Sequence, residues 1–238
     1  MERESDGFRR IGRREFLKFS GAVYLVAATG CAPEKPREPP APPTEAIDAS
    51  KVPFPPSAAY LLVDTRKCQG CLSCMLACSL AHEGRENLSL ARLQVMQDPF
   101  ERFPLDLALE TCRQCVDPEC VKACPVEALE VDRARGNVRT VRPDLCQGCM
   151  QCVEACPHPP SRAIWNFEEG KATKCDLCAD APFWKETGGP DGKQACVEVC
   201  PVGAIRLAKA IPLQRGERGY KVNLRGEAWA RLGYDVGE

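Results

Sequence analysis

The sequence predicts an α+β fold of short hairpins and short helices gathered around cysteine-rich loops. Three observations point there. The chain has 238 residues and 17 cysteines but only 6% aromatic residues, so large rings cannot supply most of its core. Sixteen of the cysteines fall into four runs of four. Between the runs lie alternating apolar segments broken by glycine-containing turns, the pattern of β-hairpins.

Residues 1–31 read as an export signal. Arg13-Arg14 is followed by Phe16-Leu17-Lys18 and then by a mild apolar run over residues 19–30. Crossing a bilayer takes roughly 20 residues, so this shorter run fits a signal-peptide core instead. The stretch RREFLK resembles the twin-arginine export signal. A basic N-terminal arm or an interfacial helix is the plainer alternative. Cys31 follows Ala28-Thr29-Gly30, which resembles a lipobox and makes Cys31 a candidate for lipidation. Ala28 departs from the large aliphatic residue usual there, and an incidental cysteine is the alternative. Residues 32–57 are too rich in proline for helix or central strand and read as an extended tether. The folded domain is expected over 58–210, with a short tail over 211–238.

The first run is Cys68, Cys71, Cys74 and Cys78, in CQGCLSCMLACS. The second is Cys112, Cys115, Cys120 and Cys124, in CRQCVDPECVKACP. The third, Cys146, Cys149, Cys152 and Cys156, nearly copies the first in CQGCMQCVEACP. The fourth comprises Cys175, Cys178, Cys196 and Cys200, in which CDLC and CVEVCP are well separated. Three closely spaced thiols on a tight loop can surround one metal centre. The fourth, three residues further on, falls where the loop enters a helical turn and points elsewhere. In two-cluster ferredoxins that cysteine serves the neighbouring cluster. Proline after it stops the helix, since it lacks an N–H and fixes φ. Sixteen cysteines then suffice for four 4Fe-4S clusters.

The connecting segments repeat as well. ACPVEALEVD and VCPVGAIRLA each pass from Cys-Pro into a short apolar strand. ALEVDRARGNVRTV reads as a hairpin around Gly136-Asn137, and AIWNFEEGKATK as another around Glu169-Gly170. Structural zinc is the main alternative for C-x2-C pairs, but it does not call for a further cysteine followed by proline. A disulfide framework is disfavoured because neighbours this close cannot easily meet disulfide geometry.

These runs resemble the four-cluster iron–sulfur subunits of the dimethyl-sulfoxide-reductase type, found with molybdopterin oxidoreductases and related hydrogenases. The resemblance covers roughly residues 58–210 and implies tandem bacterial-ferredoxin-like domains, two interleaved 2(4Fe-4S) modules. It also implies that the first run pairs with the fourth and the second with the third. Cys68, Cys71, Cys74 and Cys200 would hold one cluster, and Cys78, Cys175, Cys178 and Cys196 its neighbour. Cys112, Cys115, Cys120 and Cys156 would hold a third, and Cys124, Cys146, Cys149 and Cys152 a fourth. The chain departs from many such relatives in showing no C-terminal membrane helix.

The expected function is electron transfer rather than turnover of a substrate. There is no phosphate-binding glycine loop and no nicotinamide or flavin fingerprint. The two histidines, His82 and His158, are expected to be exposed or simply packed. The charge balance, 32 Lys+Arg against 33 Asp+Glu, offers no footprint for nucleic acid. Lys67, Lys122 and Lys174 lie near the runs and could raise cluster potentials, ordinary solvation being the expectation for each. By resemblance the partners are a molybdopterin or tungstopterin catalytic subunit and a quinone-linked membrane subunit or cytochrome, on the periplasmic side. The equivalent subunit of a nickel–iron hydrogenase and a free-standing, membrane-tethered polyferredoxin are the alternatives. An apolar docking face is expected within residues 79–111.

Overall fold

The computed structural model describes residues 53–103, 105–214 and 219–233. The export signal, Cys31 and most of the proline-rich tether lie outside these residues. Those described all belong to one compact unit spanning Pro39–Glu238.

Four two-stranded antiparallel sheets form the framework. β1 (Tyr60–Val63) and β8 (Ile205–Ala208) pair from opposite ends of the chain, Tyr60 opposite Ala208 and Val63 opposite Ile205. β1 is buried along its whole length, as its uninterrupted apolar run YLLV requires. The other three sheets are local hairpins: β2 (Gln94–Gln97) with β3 (Leu107–Glu110), β4 (Leu129–Asp132) with β5 (Val138–Val141), and β6 (Ala163–Asn166) with β7 (Lys171–Lys174). The last two turn where the sequence predicts, with Gly136, Asn137 and Gly170 all at positive φ.

Each cysteine run leads into a helix, and proline decides how far it goes. α2 (Glu119–Lys122), α3 (Gln151–Glu154) and α4 (Ala195–Glu198) are four residues long and stop just before a Cys-Pro pair. In the first run Ser79 follows Cys78 where proline stands elsewhere, so α1 (Ser73–Glu83) continues for eleven residues to a left-handed Gly84. The expectation of single helical turns is therefore corrected for this run.

α1 packs on α4, and α2 packs on α3. The main core lies under the first pair and β1, with Leu61, Val63, Leu109, Val138, Leu177 and Ile205 at its centre. A second, smaller core under α2 and α3 contains Leu129, Ala163 and Ala172. The tail docks on the domain: Val63 N–H donates to the Tyr220 carbonyl and Val222 N–H to the Val63 carbonyl, at 2.8 Å each. This covers the free edge of β1. The final helix, α5 (Glu227–Ala230), buries no residue. No helix among the described residues is long and apolar enough to cross a membrane.

Candidate metal centres

The loops that carry the thiols share one backbone device. The residue before the second cysteine of each run is left-handed: Gly70, Gln114, Gly148 and Leu177, with φ of 65°, 46°, 72° and 59°. This curls each C-x2-C segment so that its amides can meet its own sulfur. Gly70 N–H lies 3.5 Å from Cys68 Sγ, and Gln114 N–H 3.3 Å from Cys112 Sγ. The last cysteine of three runs is met from outside the loop, Arg92 N–H at 3.4 Å from Cys78, Arg162 N–H at 3.2 Å from Cys156 and Ala204 N–H at 3.2 Å from Cys200.

In each of the four groupings that the resemblance implies, a thiol has cysteines of another run as charged neighbours. Burial pushes Cys74 up to about 12, and the charges of Cys68, Cys200 and Cys71 add to the effect. In the second group burial raises Cys196 well above its ordinary value, with Cys178, Cys175 and Cys78 as charged neighbours. In the third it pushes Cys115 up to about 12, beside Cys112, Cys120 and Cys156. In the fourth Cys152 rises to about 11, chiefly by burial, with Cys120 as its foremost charged neighbour and Cys146, Cys124 and Cys149 after it. Adjacent groups also reach one another, through Cys196 and Cys74, Cys175 and Cys112, and Cys152 and Cys120. Only Cys71 and Cys149 among these cysteines are exposed, one in the first group and one in the fourth.

Polar side chains flank the two middle groups. Buried Lys174 places Nζ 2.6 Å from Cys112 Sγ, correcting the expectation that it is solvated. Lys122 is exposed and pairs with Asp117 and Glu119, as a surface lysine does. Lys67 reaches the Leu224 carbonyl at 3.2 Å. Arg139 and Gln114 are buried completely, and neither was singled out from the sequence. Gln114 Nε2 donates to the Cys175 carbonyl, and its Oε1 accepts from Arg139 N–H, both at 2.7 Å. The one available signal was that CRQC places a glutamine where CQGC has glycine. Asp176 sits on the other side of Cys175, 3.2 Å from Arg92 and 3.5 Å from His82. His82 is packed, its ring nitrogen 3.0 Å from the Asp180 carbonyl. His158 is half-buried, with Nε2 3.4 Å from Cys115 Sγ, so it belongs to the surroundings of the third group.

All sixteen described cysteines are unpaired. Among the described residues, no three His, Cys, Asp or Glu side chains converge closely enough to hold one metal ion. Thiols alone, served by backbone N–H donors, fit iron–sulfur clusters, whose protein levers are such hydrogen bonds, burial and nearby charge.

Comparison with known proteins agrees. Residues 105–210 match the model of the 4Fe-4S dicluster domain. The NrfC homolog of Haemophilus influenzae is 31% identical over 204 residues, covering 81% of this chain and 77% of that one. The polyferredoxin-like subunit of the aliphatic sulfonate oxidoreductase of Pyrococcus furiosus is 38% identical over 141 residues, 59% of this chain and 70% of its own. The formate dehydrogenase-O iron–sulfur subunit of Escherichia coli is 29% identical over 184 residues, 69% of this chain and 58% of its own. With its cysteine groups, short helices and antiparallel hairpins, the chain belongs to the 4Fe-4S dicluster family of iron–sulfur electron-transfer proteins.

Proposed function

We propose that this chain is the electron-transfer subunit of an exported oxidoreductase and carries four 4Fe-4S clusters. It would link a molybdopterin or tungstopterin catalytic subunit to a quinone-linked membrane subunit or cytochrome. The observation that supports this reading is the nearness of thiols from different runs, with exposed cysteines in two of the implied groupings. Cys196 has Cys74 as a charged neighbour, Cys175 has Cys112 and Cys152 has Cys120, and the exposed cysteines, Cys71 and Cys149, belong to the first and third runs. A fully buried group, that of Cys78, Cys175, Cys178 and Cys196, alongside groups with accessible thiols suits conduction between two partners.

In this reading Cys68, Cys71, Cys74 and Cys200 hold the first cluster, and Cys78, Cys175, Cys178 and Cys196 the second. Cys112, Cys115, Cys120 and Cys156 hold the third, and Cys124, Cys146, Cys149 and Cys152 the fourth. When bound, each cluster supplies a one-electron redox couple. The chain's own residues fix the thiols, bury Cys78, Cys175, Cys178 and Cys196, and aim N–H donors at the sulfurs. With every iron capped by cysteine, the chain has no substrate site of its own. The β1–β8 pairing and the packing of α1 on α4 support an outer two-cluster module, and the packing of α2 on α3 an inner one inserted within it.

A docking surface is supported near the first group. Phe100, Phe103 and Leu105 lie 95%, 62% and 70% exposed where β2 turns into β3, within the segment 79–111. Leu107 of the same hairpin lies against Gly70, beside Cys71. The stretch RREFLK supports export by the twin-arginine route, with Cys31 as a candidate lipid anchor.

Anaerobic purification from native membranes, with its co-purifying subunits, tests the reading. It expects about sixteen irons per chain, four for each cluster, and a partner bearing molybdenum or tungsten. Nickel in the partner would make the complex a hydrogenase, and a lone iron-loaded chain would make it a tethered carrier. Zinc in place of iron would overturn the reading altogether.

A further inference from the structure

The segment Lys174-Cys175-Asp176 lies where the second and third thiol groups meet, and its two charged side chains face different groups. Lys174 ends β7 and extends its ammonium to Cys112 Sγ, 2.6 Å away. The charges foremost around it are sulfurs, those of Cys112, Cys120 and Cys115. Fully buried Arg139 stands by the same group. Its guanidinium donates to the Asn137 and Val116 carbonyls at 2.6 and 3.4 Å, which satisfies N–H groups without neutralising the charge. The third group therefore sits beside two buried cations.

The second group is flanked by a paired carboxylate and cation instead, and the cation's own backbone N–H meets Cys78 Sγ at 3.4 Å. Asp176 is buried, accepts from Cys178 N–H at 3.0 Å and from Asp180 N–H at 3.1 Å, and so is locked against the group that contains Cys78 and Cys178. Arg92 offsets it in part, at 3.2 Å. All four cysteines of this group are buried. Burial and a nearby carboxylate both oppose adding negative charge, whereas a buried cation with a hydrogen bond to sulfur favours it.

We infer that Lys174 is a positioning residue that raises the potential of the centre held by Cys112, Cys115, Cys120 and Cys156 above that of the centre held by Cys78, Cys175, Cys178 and Cys196. Two neighbouring centres thus differ by design of the protein around them, and an electron passing between the halves meets a built-in step. The inference rests on the four-cluster reading and deepens it. Lys174 is chosen over Arg139 for the test because its charge touches sulfur directly.

The test is a potentiometric titration of the intact complex, followed by electron paramagnetic resonance, in the wild type and in Lys174→Met and Lys174→Arg. The Cys115→Ser variant identifies the signal of the Cys112-group centre. In the wild type, this centre is expected to be the more readily reduced of the two middle centres. In Lys174→Met its reduction equilibrium constant should fall at least tenfold, 59 mV for one electron, while the first and fourth centres move much less. Lys174→Arg, which keeps the charge, should stay near the wild type. A role limited to packing would not distinguish the two variants in this way. Should Lys174→Met assemble without that centre, the polar, neutral Lys174→Gln is titrated instead against the same expectation. An unmoved potential in an iron-replete neutral variant overturns the inference, as does the reverse order of the middle centres in the wild type. A wild type with no centre at the Cys112 group overturns both this inference and the four-cluster reading. One that has the centre but an unmoved potential overturns the inference alone.

Discussion

Gly70 and Gly148 occupy the same place in near-identical CQGC loops, yet replacing them with alanine should cost different amounts. Both are left-handed, at φ of 65° and 72°, so either alanine incurs about 1–2 kcal/mol of backbone strain. The surroundings then separate them. A Cβ on Gly70 would meet Leu107 Cδ2 at 3.0 Å, the end of a side chain that can shift. A Cβ on Gly148 would stand 2.3 Å from the Gly170 carbonyl oxygen, which is backbone of the β6–β7 turn. Relieving that overlap must displace either the hairpin or Cys149, at a further cost of about 1–3 kcal/mol. In a domain of this size, each kcal/mol moves Tm by about 2–4 °C. Gly70→Ala should therefore lower the apparent Tm by roughly 2–8 °C and leave the iron content unchanged. Gly148→Ala should lower it by roughly 4–20 °C and cost one cluster's iron, about a quarter of the total, as the Cys146 group loses its geometry. Anaerobic thermal melts and iron assays of the two variants provide the comparison. Equal shifts and full iron in both would refute the reasoning, since they would mean that the Gly170 carbonyl does not constrain the loop.

Tyr220→Phe removes a buried hydroxyl that donates to the Arg113 carbonyl at 2.7 Å and accepts from Gln214 at 2.9 Å. It should cost about 1–3 kcal/mol in thermal unfolding without altering iron content. Leu61→Ala opens a cavity in the main core, where Leu61 is 1% exposed, and should cost about 2–5 kcal/mol by the same measure. His82 is pushed down to about 4, first by burial and then by Arg92, against the opposing pull of Asp176 and Asp180. A depressed histidine stabilises fully above its unfolded value near 6.5 and loses that contribution as pH falls toward the folded value. The wild type should thus lose stability as pH falls from about 6.5 toward 4, and His82→Gln should flatten that slope. An unchanged slope in the variant would count against a neutral, buried His82.

What the chain's spelling reveals and what it conceals divides along sequence distance. The C-x2-C loops, the hairpins at Gly136-Asn137 and Gly170, and the helix stops at Cys-Pro are set by residues a few positions apart, and all could be read directly. The longer α1 was legible too, in the serine that stands after Cys78 where the other runs have proline. β1 was overlooked because a short apolar run does not announce its partner, and that partner, β8, lies at the far end of the domain. The β2–β3 hairpin was anticipated only as an apolar face within 79–111.

The sequence by itself determined that sixteen thiols stand in four runs suited to soft, polynuclear metal chemistry, because spacing along the chain dictates which sulfurs share a loop. Only the tertiary structure decided that α1 packs on α4 and α2 on α3, which cysteines reach solvent, and that Lys174 points inward rather than into water. Those outcomes depend on burial and on charges brought together from remote segments. Lys174 looks like any other lysine until β7 carries it against Cys112.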